Sequence, residues 1–105
     1  MNLYQLRYFA LLAQTGHFRK TAEQLCIAQP SLSHAISLLE KELGVTLFEK
    51  QGRRSVLTPE GTEFLKYVEK SLLALDEGIL NMHHLAMGEG KIELGFLRTL
   101  GVEFV

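Results

Sequence analysis

Residues 18–44, FRKTAEQLCIAQPSLSHAISLLEKELG, constrain the fold of this chain more than any other stretch. Phe18, Ala22 and Leu25 fall at i, i+4 and i+7, the buried side of a short helix. Cys26-Ile27-Ala28 form a turn, with Ile27 placed to plug inward and Cys26 expected as a half-buried small residue. Pro30 suits the first turn of a second helix, with apolar stripe Leu32, Ile36, Leu39 and Leu43 and Gly44 as its stop. Two short amphipathic helices joined by a tight turn make a helix-turn-helix. The outer face of the second helix carries Pro30, Ser33, His34, Ser37 and Lys41, with Gln29 and Ser31 at its N-terminal end. Small polar side chains on such a face suit entry into a DNA major groove. Gln29 can donate and accept at an adenine edge, serines pair with several bases or a phosphate, and the positive helix end favours phosphate.

The flanking segments fit around this pair. Asn2 with Gln5 three residues on is a capping-box variant, Leu3, Leu6, Phe9 or Ala10 and Ala13 give helical spacing, and Gly16 suits a C-terminal stop. After Gly44, residues 46–50 and 55–57 are two short β-prone pieces. Between them Gln51-Gly52-Arg53-Arg54 makes a cationic hairpin tip, a wing whose Arg53 and Arg54 suit phosphate contact or a narrow minor groove. Thr58, Pro59 and Glu60 supply a cap, a first-turn proline and a dipole-complementing acid for a long helix that closes at Gly88-Glu89-Gly90. Its apolar positions Leu65, Val68, Leu72, Leu75, Ile79, Met82 and Ala86 alternate spacings of 3 and 4, a heptad seam. Leu73, Leu80 and Leu85 broaden that face, which predicts a coiled-coil-like pairing with a second copy. Residues 91–97, KIELGFL, read as a strand, and one short strand makes no sheet. The sequence is therefore expected to stop just inside a further domain.

The 105 residues suit one compact domain, and 47% hydrophobic with 22% charged residues excludes disorder and collagen-like folds. The net charge of −1 is unevenly spread: seven Lys/Arg against four Glu in residues 1–58, four basic against eight acidic in 59–105. A mildly basic front and an acidic back suit a DNA-binding head on a non-binding stalk. The single Cys26 cannot pair within the chain, which points to a reducing, cytoplasmic setting; no signal peptide and no membrane span are read. His83-His84 lack partners at metal-site spacing, and no nucleophile–base set or phosphate-cradling glycine loop stands out. No enzyme activity, cofactor or metal is expected. The competing reading is a winged helix that binds protein partners; a steep loss of affinity with salt distinguishes a DNA reader.

The motifs Leu6-Arg7-Tyr8-Phe9, Gly16 with Phe18, Ala22 with Leu25, Gln29-Pro30-Ser31-Leu32-Ser33, Ile36, Leu39-Glu40, Leu43-Gly44, Leu47-Phe48-Glu49, and Arg54 with Leu57-Thr58 and Gly61 run in register. In this the chain resembles the DNA-binding end of LysR-type transcriptional regulators, a large bacterial group. The resemblance implies a mainly α chain: a winged helix-turn-helix of three helices plus a two-stranded wing over residues 1–58, and a long dimerisation helix over 59–88. Residues 89–105 would hold the hinge and first strand of an effector domain that takes a small molecule. It also implies binding of double-stranded DNA at a partly palindromic promoter site as a homodimer, with higher oligomers at full length. Gln29, Pro30, Ser31, Ser33, His34 and the wing arginines would contact DNA, and the linker helices would pair antiparallel. This sequence departs from the family at His34 and Lys50, where arginine is usual, and at His17 and Ala28, where serine is common. The last two predict weaker caps, worth about 0.5–2 kcal/mol each.

Overall fold

The computed structural model describes residues 1–88. The elements follow in the order α1 (Leu3–Thr15), α2 (Phe18–Leu25), α3 (Gln29–Leu43), β1 (Phe48–Gln51), β2 (Arg54–Leu57) and α4 (Pro59–Gly88). These are the three helices, two-stranded wing and long helix expected from the sequence. The strand expected at 91–97 lies outside the described residues.

The helix ends follow the capping chemistry. At α1, the Asn2 side chain accepts from Gln5 N–H (2.9 Å) while the Gln5 side chain accepts from Asn2 N–H (3.1 Å), a reciprocal capping box. Gly16 (φ +76°) and Gly44 (φ +74°) close α1 and α3 in the left-handed conformation. Neither α2 nor α3 has a side-chain cap at His17 or Ala28. At α2, the hydroxyl of buried Thr21 donates to the His17 carbonyl (2.7 Å) and contacts the Thr15 hydroxyl, which ties the helix start to the end of α1. The α2–α3 turn rests on Cys26 at φ +60°, a conformation unfavourable for a side chain by about 1 kcal/mol. Cys26 is exposed, not half-buried: it stands at the left-handed C-cap of α2, beyond the last residue of the helix.

The described residues divide into two units, Met1–Ser71 and a second that begins at Leu72. The first runs past residue 58, where the sequence suggested a boundary, because the opening turns of α4 belong to its core: Gly61 is buried and Val68 is 2% exposed. Phe9, Leu12, Leu32, Leu39 and Leu47 are fully buried in this unit. The core face of α1 is therefore Gln5, Phe9 and Leu12, at i, i+4 and i+7, while Leu3, expected on that face, is exposed. A chain of aromatic contacts ties the elements together: Phe18 to Phe48 (6.5 Å between centroids), Phe48 to Phe9 (5.5 Å) and Phe9 to Phe64 (5.6 Å).

The strands pair antiparallel in the register Phe48↔Leu57 to Gln51↔Arg54, leaving Gly52-Arg53 as a two-residue turn. Gly52 supplies the positive φ (+65°) at the first turn position, which suits a tight hairpin. The base of the wing is bonded to its surroundings. Thr58 N–H donates to the Leu47 carbonyl (3.0 Å), and its hydroxyl donates to the Thr46 carbonyl (2.5 Å) while accepting from Gly61 N–H (2.9 Å). Ser55 N–H donates to the Gly16 carbonyl (2.8 Å), joining β2 to the α1–α2 turn.

In the second unit, residues 72–87 of α4 display Leu73, Leu75, Ile79, Leu80, Met82 and Leu85, each at least 40% exposed. That is an unusual density of exposed apolar side chains on one helix.

Candidate nucleic-acid interface

The outer face of α3 is free of packing. Gln29, Pro30, Ser31, His34, Ser37 and Lys41 are exposed and Ser33 is half-buried, whereas Leu32, Ile36 and Leu39 on the opposite side are buried. The three-and-four spacing of the buried leucines and isoleucine leaves the polar set on one stripe.

Helix N-termini are treated differently along the chain. The start of α4 is capped by Thr58 and carries Glu60 in its first turn. The start of α3 has neither a side-chain cap nor an acidic residue in its first turn. Its positive end is not neutralised by its own residues, as suits an approaching phosphate. The weak cap at Ala28 thus carries a stability cost and an electrostatic opening together.

The wing arginines part company. Both are exposed, but the Arg54 guanidinium lies over Gly16: a Cβ on that glycine would sit 2.8 Å from its Nη2 and 3.1 Å from its Nε. A cation there complements the C-terminal end of α1. Arg53 occupies the second turn position at the hairpin tip. Arg19 and Lys20 are exposed at the start of α2, with Arg19 4.0 Å from Glu23, a weak surface pair.

The expected dimer seam is not uniform. Val68 is buried within the first unit, so it is withdrawn from any partner, and Leu65 and Leu72 are half-buried. Leu75 (40%), Ile79 (44%) and Met82 (50%) are exposed. No group of three or more His, Cys, Asp or Glu side chains is placed to hold a metal among the described residues. No described helix is long and apolar enough to cross a membrane.

Sequence reasoning passed over Glu40, whose carboxylate Oε2 accepts from Leu47 N–H (2.7 Å) and Phe48 N–H (3.3 Å). Its position in the Leu39-Glu40 motif was visible, but a contact to residues seven and eight positions on, past the helix end at Leu43, is not a periodic signal.

Residues 3–62 match the family of bacterial regulatory helix-turn-helix proteins of lysR type. The chain is 41% identical over 100 residues to the transcriptional regulator BenM of Acinetobacter baylyi, covering 95% of this chain and 33% of that protein. It is 38% identical over 106 residues to the transcriptional regulator AlsR of Bacillus subtilis, covering all of this chain and 35% of that protein. The chain thus spans about a third of the length of these relatives. Among solved structures, the BenM DNA-binding domain in complex with catB site 1 DNA superposes with a TM-score of 0.79 at 42% identity, over 85% of this chain and 96% of that one. The CbnR DNA-binding domain bound to DNA superposes with a TM-score of 0.74 at 30% identity, over 82% and 99% respectively.

Proposed function

The chain belongs to the lysR family of bacterial regulatory helix-turn-helix proteins, and from that premise we propose that it is the DNA-reading end of a transcriptional regulator. It reads a partly palindromic promoter site as a homodimer in the cytoplasm. The observation that carries this reading is the outer stripe of α3, polar, exposed and begun by an open positive helix end. Gln29, Pro30, Ser31, Ser33, His34 and Ser37 are assigned to the major groove and Arg53 to the adjacent backbone or minor groove. Arg54 is assigned a smaller direct share, because its guanidinium is engaged over Gly16. The relatives' names and the DNA complexes of similar heads support the assignment. The chain spans about a third of these relatives' length, and the assignment concerns that third alone.

The test is selection of duplexes from a randomised pool, followed by salt titration. A shared motif with two-fold symmetry is expected, with affinity falling about 10³-fold or more between 50 and 200 mM salt if several phosphates are contacted. Arg53→Ala should weaken binding to every selected duplex and flatten the log–log salt slope by about 1. An unchanged slope would remove the wing from the interface.

Dimerisation is assigned to the exposed part of α4: Leu75, Ile79 and Met82, with Leu72 and Leu65 at its margin. Leu75→Glu with Ile79→Glu places carboxylates on that seam and should give monomers by sedimentation, with the first unit's thermal transition retained. A persistent dimer would show that the pairing surface lies off the seam.

A further inference from the structure

We propose that Glu40 is a positioning residue for DNA reading, holding the wing at a fixed angle to α3 so that both reach one duplex; this rests on the DNA-reading assignment above. Glu40 is half-buried near the C-terminal end of α3 and is not among the residues assigned to the major groove, which run from Gln29 to Ser37. Four backbone N–H groups of the following segment converge on this one residue. Its main-chain carbonyl accepts from Gly44 (2.8 Å) and Val45 (3.3 Å), and its carboxylate Oε2 accepts from Leu47 (2.7 Å) and Phe48 (3.3 Å). The connection from α3 to β1 is therefore gripped from both the backbone and the side chain of a single helical position.

The other side of Leu47 is equally committed, since its carbonyl accepts from Thr58 N–H (3.0 Å). Recognition helix, wing base and the start of α4 meet at one peptide. Four residues of strand carry Arg53 about 13 Å from this base, so a rotation of about 10° there moves the tip about 2 Å, beyond hydrogen-bond reach. An ionised acceptor makes the stronger class of hydrogen bond, and loss of Glu40 would leave two amides at the wing base without partners.

The test is a double-mutant cycle between Glu40 and Arg53, using a duplex that this chain selects from a randomised pool. In the wild-type chain Arg53→Ala should weaken binding about tenfold. In the Glu40→Ala chain the same change should cost less than about twofold, because the wing no longer reaches its contact. Glu40→Gln should restore nearly the full cost, since both amides use one oxygen and an amide carbonyl can take its place. If Glu40→Ala melts below the assay temperature, Glu40→Asp carries the same comparison, withdrawing the oxygen by one methylene at unchanged charge. An equal Arg53→Ala penalty in the wild-type and Glu40→Ala or Glu40→Asp chains overturns the proposal, as does a Glu40→Gln chain that behaves like Glu40→Ala. A wild-type chain that selects no duplex, or is indifferent to Arg53→Ala, instead overturns the DNA-reading or wing assignment, and the Glu40 role falls with it.

Discussion

Gly61→Ala is expected to destabilise the first unit by about 3 kcal/mol, the upper end of the range for overpacking a well-filled site. A Cβ at this position would stand 2.2 Å from the Leu47 carbonyl oxygen and 3.0 Å from Leu57 Cδ2. The obstacle is backbone, and that carbonyl is already bonded to Thr58 N–H, so it cannot yield without opening the wing base. Intrinsic helix propensity argues the other way, favouring alanine by about 1 kcal/mol. Steric overlap wins because 2.2 Å is far inside any carbon–oxygen contact. A unit of this size is stable by about 4–10 kcal/mol. Thermal denaturation followed by circular dichroism should show a drop of about 10–25 °C. Gly78, on the same helix, supplies the control because an added Cβ there meets no described atom within 4 Å apart from the local helix backbone: alanine should leave the first unit's transition unchanged or slightly raise helix content. A Gly61→Ala transition within a few degrees of wild type would show that the approach of α4 to Leu47 adjusts freely.

Phe9→Ala should remove about 3–5 kcal/mol, enough to leave the first unit unfolded or barely folded. Phe9 is fully buried and its ring meets both Phe48 of β1 and Phe64 of α4. Truncation therefore opens a cavity where three elements join, and it also forfeits two aromatic pairs worth about 0.5–1.5 kcal/mol each. Phe9→Leu fills most of the volume and should cost less, so the difference between the two variants in urea midpoint measures the cavity term. Cooperative unfolding of Phe9→Ala at a wild-type midpoint would mean that the aromatic chain is peripheral to the core.

Helix limits were legible in the sequence because end chemistry is local. Asn2 with Gln5, Gly16, Pro30, Gly44, Thr58 and Pro59 each act within about one turn of where they stand. The polar stripe of α3 was legible for the same reason, as what remains once a periodic apolar set is removed. The choice between faces of α1 was harder. Leucines crowd that helix all round, and the face that wins includes a polar residue, Gln5, whose side chain is engaged at Asn2. Non-local matters stayed hidden: the Arg54 guanidinium over Gly16, the Glu40 grip on Leu47 and the withdrawal of Val68 into the first unit. A heptad count assigns Val68 to the same seam as Leu75, because periodicity records which side of a helix is apolar and says nothing of what covers each turn. Cys26 illustrates a further limit: its left-handed backbone is imposed by the geometry between α2 and α3, against local preference.

The separation of buried and outward residues on α3 has an evolutionary consequence. Leu32, Ile36 and Leu39 hold the helix in place, whereas Gln29, Ser31, His34 and Ser37 are exposed. Exposed positions away from caps and cores tolerate exchange with little effect on folding. If the stripe reads DNA as proposed, the vocabulary of target sites can drift by substitution along it while the scaffold stays constant. Exposed His34 is such a position: under the proposed assignment, its replacement retunes what is read without renegotiating how the chain folds.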